Sequence, residues 1–284
     1  MREIRPIWRP PTPAGKNIQE KCAANGTDDP VGASHHNETV GPFTSMRRSP
    51  GDRGRGNEVT IMPQVRDSGC EGSCVGFAVA AALEDQIRKV RARGVTISPR
   101  YIYYYAREQG GFPTDCDTGA HLKDAVAILL QRGAVAERVW PYKAGEFGAK
   151  PPEAVERAVH YKISQAQRIH SIDELKAALQ EARSVVGGLC LFPSAYTEEV
   201  SRTGRIPMPE PDECLRSAAA VCFVGFADTE RLLKFRPPWG RRWGDHGYGY
   251  ISYDYAQRFL SDAWAIAIAV ESGVTLHIPH SRRA

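Results

Sequence analysis

The order of two hydrophobic periodicities limits this chain's fold more than any other feature. Helical signals dominate residues 74–160. Val75, Val79, Leu83, Ile87 and Val90 recur on one helical face, and Gly94 is a natural stop. Ser98-Pro99 sets an N-cap residue before a proline at the first helical position, opening a short Tyr-rich helix through Glu108. Leu122, Val126, Leu129 and Leu130 mark a further helix that closes at Gly133. Ser171-Ile-Asp-Glu174 has the capping-box spacing and opens a helix to about Arg183. Beyond it, the β-branched or aromatic runs at 185–192, 221–226, 232–235, 248–252 and 264–270 are broken by Gly, Pro and Asp, as strands are. Helices first and strands afterwards predict an α+β protein of two lobes.

Composition narrows the function classes. Hydrophobic residues at 42% and charged residues at 25% are ordinary globular usage and exclude a fibrous or disordered chain. Lys plus Arg is 37 against 33 for Asp plus Glu, and a surplus of +4 is too small to argue for nucleic acid. The longest uncharged apolar stretches, 74–83 and 263–270, fall well short of the roughly 20 residues that span a bilayer. No membrane partner is expected, and Met1-Arg-Glu-Ile-Arg-Pro6 has no apolar leader core, so the expected location is cytoplasmic. Residues 1–58 hold seven of the 20 prolines and few apolar residues, and read as an irregular N-terminal arm with paired solvated histidines, His35 and His36. The remaining divisions are a helical lobe at 59–160, a β-rich lobe at 161–275 and a tail at 276–284.

Seven cysteines are an odd number, so internal pairing cannot be complete. No CxxC pair and no Cys/His cluster with zinc spacing occurs, so neither metal nor cofactor is expected. One cysteine is chemically placed. In Val65-Arg-Asp-Ser-Gly-Cys-Glu-Gly-Ser-Cys74, a glycine-rich loop delivers Cys74 to the first turn of an amphipathic helix. Unpaired N–H groups and the positive helix end favour thiolate there, and Gly69, Gly72 and Ser73 leave room for a substrate backbone. The residues alone read equally as a nucleophile or as a buried structural cysteine.

Five blocks in order, from about residue 60 to 270, resemble the papain-like cysteine peptidases, in their bacterial branch. They are Gln64-Val-Arg-Asp-Ser-Gly-Cys-Glu-Gly-Ser-Cys74-Val-Gly-Phe-Ala78, Ile97-Ser-Pro-Arg-Tyr-Ile-Tyr-Tyr104, Gly133-Ala-Val-Ala-Glu-Arg-Val-Trp-Pro-Tyr142, Ala220-Val-Cys-Phe-Val-Gly-Phe-Ala-Asp228 and Trp239-Gly-Arg-Arg-Trp-Gly-Asp-His-Gly-Tyr-Gly-Tyr250. The resemblance implies a two-lobed papain-like fold with a cleft, Cys74 at the nucleophile position, and substrate contacts from Gly72, Ser73, Gly119, Ala120, His121 and Trp239. It also implies a bridge between the nucleophile loop and the loop before Gly119, for which Cys70 and Cys116 are candidates, each one residue early.

Three positions depart from the family pattern. Ser68 stands where the resemblance implies an oxyanion-hole glutamine, Ala219 where it implies the catalytic histidine, and Pro237 where it implies the histidine-orienting asparagine. Without imidazole there is no general base for the thiol and no acid for a leaving amine. Losing one oxyanion donor costs on the order of 100- to 1,000-fold in rate. His121, on the implied cleft wall, is the best substitute base, though it also reads as a polar helix-start residue. Trp239 and Trp243 with Arg236, Arg241 and Arg242 read either as a cation–π platform for an acidic partner or as the cap of a core edge. Two functions stay open. One is a pseudopeptidase whose cleft binds a peptide or protein partner. The other is a rewired enzyme using Cys74 for acyl transfer or hydrolysis of an activated thioester, ester or amide.

Overall fold

A computed structural model describes residues 63–91 and 94–268. The arm expected at 1–58, with His35 and His36, and the tail expected at 276–284 lie outside the described residues. Among the described residues the first helix, α1 (Cys74–Val90), is also the longest, at 17 residues. It precedes α2 (Pro99–Gln109) and α3 (Leu122–Gln131). A hydrogen bond from the Tyr101 N–H to the Ser98 hydroxyl caps α2, and Gly133 ends the turn after α3 with φ +79°.

The β-rich part alternates strands with short helices. In chain order it holds β1 (Gln165–Arg168), α4 (Ile172–Gln180), β2 (Ser184–Leu191), α5 (Glu198–Thr203), β3 (Ser217–Ala227), β4 (Leu232–Arg236), β5 (Gly249–Ser252), α6 (Tyr253–Phe259) and β6 (Leu260–Ala267). Among the described residues six strands form one antiparallel sheet in the order β1-β6-β2-β3-β4-β5. At the start of α4 the Ser171 hydroxyl accepts from the Glu174 N–H, while the Glu174 carboxylate accepts from the N–H of His170, one residue outside the cap.

Strand periodicity separates two cores. Ala220 and Cys222 of β3, Val186 of β2 and Ile266 of β6 pack with α1, α2 and α3. Their alternate neighbours, Ala219, Val221, Phe223, Val185 and Ala265, pack with α4 and α6 on the other face. The fold is therefore the two-lobed α+β architecture expected, with α1 lying against β2 and β3. Polar groups fix α1 in place. Gln86 donates to the Ser184 hydroxyl and the Ala182 carbonyl, each at 2.9 Å, and the Ser184 hydroxyl donates to Asp85 at 2.6 Å. Among the described residues no helix is long and apolar enough to cross a membrane, and no group of three or more His, Cys, Asp or Glu is placed to hold a metal ion.

Candidate active site

The loop before α1 is held in shape by three anchors. Gly69 takes φ +62°, and its N–H donates to the Asp67 carboxylate at 2.8 Å, an Asx turn. Glu71 then points inward to a buried two-bond pair with Arg100, at 2.5 and 2.8 Å. Arg100 also donates to the Lys143 carbonyl at 2.7 Å, and Glu71 accepts from the Gly145 N–H at 3.2 Å. Finally, both oxygens of Asp117 accept from the Gly72 N–H, at 2.9 and 3.1 Å. Tyr142 braces the same loop by donating to the Ser68 carbonyl at 2.7 Å and accepting from the Ser73 hydroxyl at 3.0 Å.

These anchors set Cys74 at the N-terminus of α1 beneath β3. Its sulfur accepts from the Ala220 N–H at 3.4 Å. Position 219 therefore adjoins the sulfur, and the buried Ala219, whose methyl packs with the β-lobe core, brings no imidazole there. Sequence reasoning expected the helix end to favour thiolate. The structure sets an opposing effect against it. Burial under β3 pushes the Cys74 thiol up from its ordinary value, and the charge of Asp117 adds to the rise. The N–H groups of Ala220, Val75 and Cys74 pull the other way and do not win.

The remaining site positions can be placed one by one. Ser68 is buried, and both its N–H and its hydroxyl donate to the Pro238 carbonyl, at 2.9 and 3.2 Å. Pro237 is buried immediately after β4 and has no N–H to donate. Trp239 forms a bridge with Asp67 and lies edge-to-face on Trp243 at 4.5 Å. Among the described residues no guanidinium lies over either ring. Both tryptophans pack against the β-lobe core, so the core-edge reading of this pair holds.

Across the loop, Gly119 has φ +75° and its N–H donates to the Tyr103 hydroxyl at 3.1 Å. That hydroxyl donates in turn to Asp117. Ala120 packs half-buried against the helical core. His121 is exposed at the N-cap of α3, with its ring 5.0 Å from that of Phe112. His246 is exposed in a turn with φ +53°, and His160 is held by the carbonyls of Arg132 and Val155. Among the described residues no imidazole is hydrogen-bonded to the Cys74 sulfur. Cys70 and Cys116 are both exposed, on the two loops that the Gly72–Asp117 bond ties together.

Sequence reasoning did not single out Asp117, Tyr142, Glu71 or Arg100, and took Tyr103 only as part of a Tyr-rich helix. The one local signal was a charged residue, Glu71, inside an otherwise small and uncharged Gly-Cys-x-Gly-Ser-Cys loop.

Comparison with known proteins agrees with this geometry. The model of the papain family of cysteine proteases matches residues 52–267. An uncharacterised peptidase C1-like protein of Acanthamoeba polyphaga mimivirus is 30% identical over 224 residues, covering 74% of this chain and 72% of the viral protein. The crystal structure of xylellain, a cysteine protease from Xylella fastidiosa, aligns with a TM-score of 0.66 and 26% identity over 82% of this chain and 95% of that one. Peptidase 1 of Dermatophagoides farinae is 26% identical, but this chain spans only 57% of its length. The chain belongs to the papain family of cysteine proteases.

Proposed function

We propose that this protein is a papain-fold pseudopeptidase, whose inherited cleft binds a peptide or a segment of a protein partner without cutting it. One observation carries this reading. The sulfur of Cys74 is met from β3 by the main-chain N–H of Ala220 at 3.4 Å, where the family resemblance implies an imidazole beside it. A thiol pushed up by burial and lacking a hydrogen-bonded base is a weak nucleophile at neutral pH. Ser68 adds support, since its hydroxyl is engaged by Pro238 and is not aimed at an oxyanion. The likeness to the Xylella fastidiosa enzyme supports placing the chain with the bacterial members of the family.

The rewired-enzyme reading rests on a different observation. Three main-chain N–H groups, of Ala220, Val75 and Cys74, still favour the charged sulfur. A thioester's leaving thiolate needs no protonation, so such a site would need least help with that substrate.

A mixed peptide library incubated with wild type and Cys74→Ala separates the two. The pseudopeptidase reading expects no new peptide termini from either protein. It also expects captured peptides to bind Cys74→Ala within about twofold of wild type, because one small side chain contributes little contact area. New termini, or an acyl mass from a thioester substrate, made by wild type and absent from Cys74→Ala would overturn it.

A further inference from the structure

The turn after Trp239 carries positive charge that the fold leaves unneutralised. Arg202, in the last turn of α5, and Arg241, Arg242 and His246, between β4 and β5, line one open hollow. All four are exposed, and among the described residues no carboxylate pairs with any of the three arginines. The one acid lining the hollow, Asp245, accepts from Tyr250, lies 3.5 Å from the Lys234 ammonium and faces the charge of His246.

The hollow is rigid because two glycines lock its walls together. Gly204 (φ +73°) and Gly244 (φ +60°) pack so closely that a Cβ on either would lie 2.4 or 2.3 Å from the Tyr248 carbonyl oxygen. The Gly244 N–H donates to the Ser201 carbonyl at 2.7 Å, and the Tyr250 N–H donates to the Gly204 carbonyl at 2.8 Å. The arginines therefore sit on a fixed frame, which lowers the ordering cost of binding. The same turn adjoins the nucleophile loop, since Gly240 donates to the Arg66 carbonyl at 3.2 Å and Trp239 bridges Asp67.

We propose that Arg202, Arg241 and Arg242 form a docking site for a short run of Asp or Glu side chains, on a polypeptide whose neighbouring residues occupy the cleft. This rests on the peptide-binding reading above and gives its ligand a charge. Guanidinium forks match carboxylates in geometry as well as sign. A nucleic acid fits less well. Trp239 and Trp243 are partly used in packing on each other and on the core, which leaves less of their faces for base stacking. Glu198 and Glu199, exposed at the opposite end of α5, would repel a long polyanion.

Fluorescence anisotropy at low salt tests the site with three labelled probes: hexaglutamate, hexaglutamine and a single-stranded oligothymidylate. Hexaglutamate should bind and hexaglutamine should not. The double variant Arg241→Gln/Arg242→Gln should weaken hexaglutamate by about tenfold, the product of two exposed charge contacts, while melting with wild type. Equal affinity of wild type and double variant would overturn the site. Tighter, arginine-dependent binding of the oligothymidylate would overturn the choice of a polypeptide. The underlying reading fails separately. Arginine-dependent hexaglutamate binding with no library peptide captured in the cleft leaves the acidic site standing and removes the cleft reading. Library peptides that bind both proteins alike, with hexaglutamate indifferent to the variant, remove the site and leave the cleft.

Discussion

Replacing Glu71 by Gln is expected to destabilise the whole domain, not only its loop. Glu71 and Arg100 have side chains 2% and 1% exposed, so neither charge can turn to water. The carboxylate accepts three bonds, two from the guanidinium and one from the Gly145 N–H. A carboxamide keeps the shape but offers one accepting oxygen, and its N–H2 must face a donor. The guanidinium stays buried, with the Tyr142 ring at 4.7 Å and the Lys143 carbonyl as its remaining partners. Breaking a buried pair from one side costs roughly 3–5 kcal/mol. In a domain of this size that lowers Tm by roughly 6–20 °C. Urea denaturation should show the loss at the midpoint with the slope unchanged. Removing both charges behaves differently, because apolar replacement of a buried pair is often neutral or favourable. Glu71→Met with Arg100→Met is thus expected to recover most of the stability lost in either single variant. A single-variant loss below about 1 kcal/mol, the level of an exposed pair, would refute the reasoning, as would additivity in the double.

Two further outcomes follow from the same contacts. Burial pushes Tyr101 up to about 12 from 10.0 and raises Tyr103 and Tyr142 as well, with Asp117 adding to the rise at Tyr103. The unfolded chain gives up these protons first, so stability should fall as pH rises from 10 towards 12; Tyr101→Phe should flatten that fall, and a pH-independent urea midpoint there would contradict it. Oxidation with diamide should join Cys70 to Cys116, whose Cα atoms are expected within about 7 Å, and peptide mapping should recover the crosslink; its absence after complete oxidation would place the two loops further apart than the Gly72–Asp117 bond implies.

What the sequence disclosed depended on how local each cause was. The Ser98-Pro99 start, the Gly133 stop and the Ser171 cap are set within one helical turn, and each appears where the pattern put it. The central strands were legible from β-branched and aromatic runs, but β3 begins four residues early, at Ser217, through three alanines that carry no strand signal. The strand β1, Gln-Ala-Gln-Arg, is a polar edge that only its pairing with β6 makes a strand. Likewise the sequence pattern predicts no helix at α6, which starts where the run 248–252 ends because Ser252 caps it by accepting from the Tyr255 N–H at 3.0 Å.

The site divides the same way. Cys74 was visible because its loop and helix are contiguous. Asp117 and Tyr142 were not, since they reach Gly72 and Ser73 across 45 and 69 residues. The thiolate expectation was partial for the same reason. A helix end is local, whereas the strand that desolvates the sulfur comes 146 residues later.

The rate of alkylation of Cys74 against pH addresses the central claim most directly. Iodoacetamide labelling read by peptide mapping gives each thiol its own rate, with the exposed Cys214 as internal reference. Cys222, raised by burial to about 12, should stay unlabelled. A sulfur desolvated under β3 without a base should label more slowly than Cys214 at pH 7, and should gain rate only as pH passes the ordinary thiol value of 9.0. Labelling of Cys74 faster than Cys214 at pH 6 to 7 would mean an activated thiolate, and would contradict the pseudopeptidase reading.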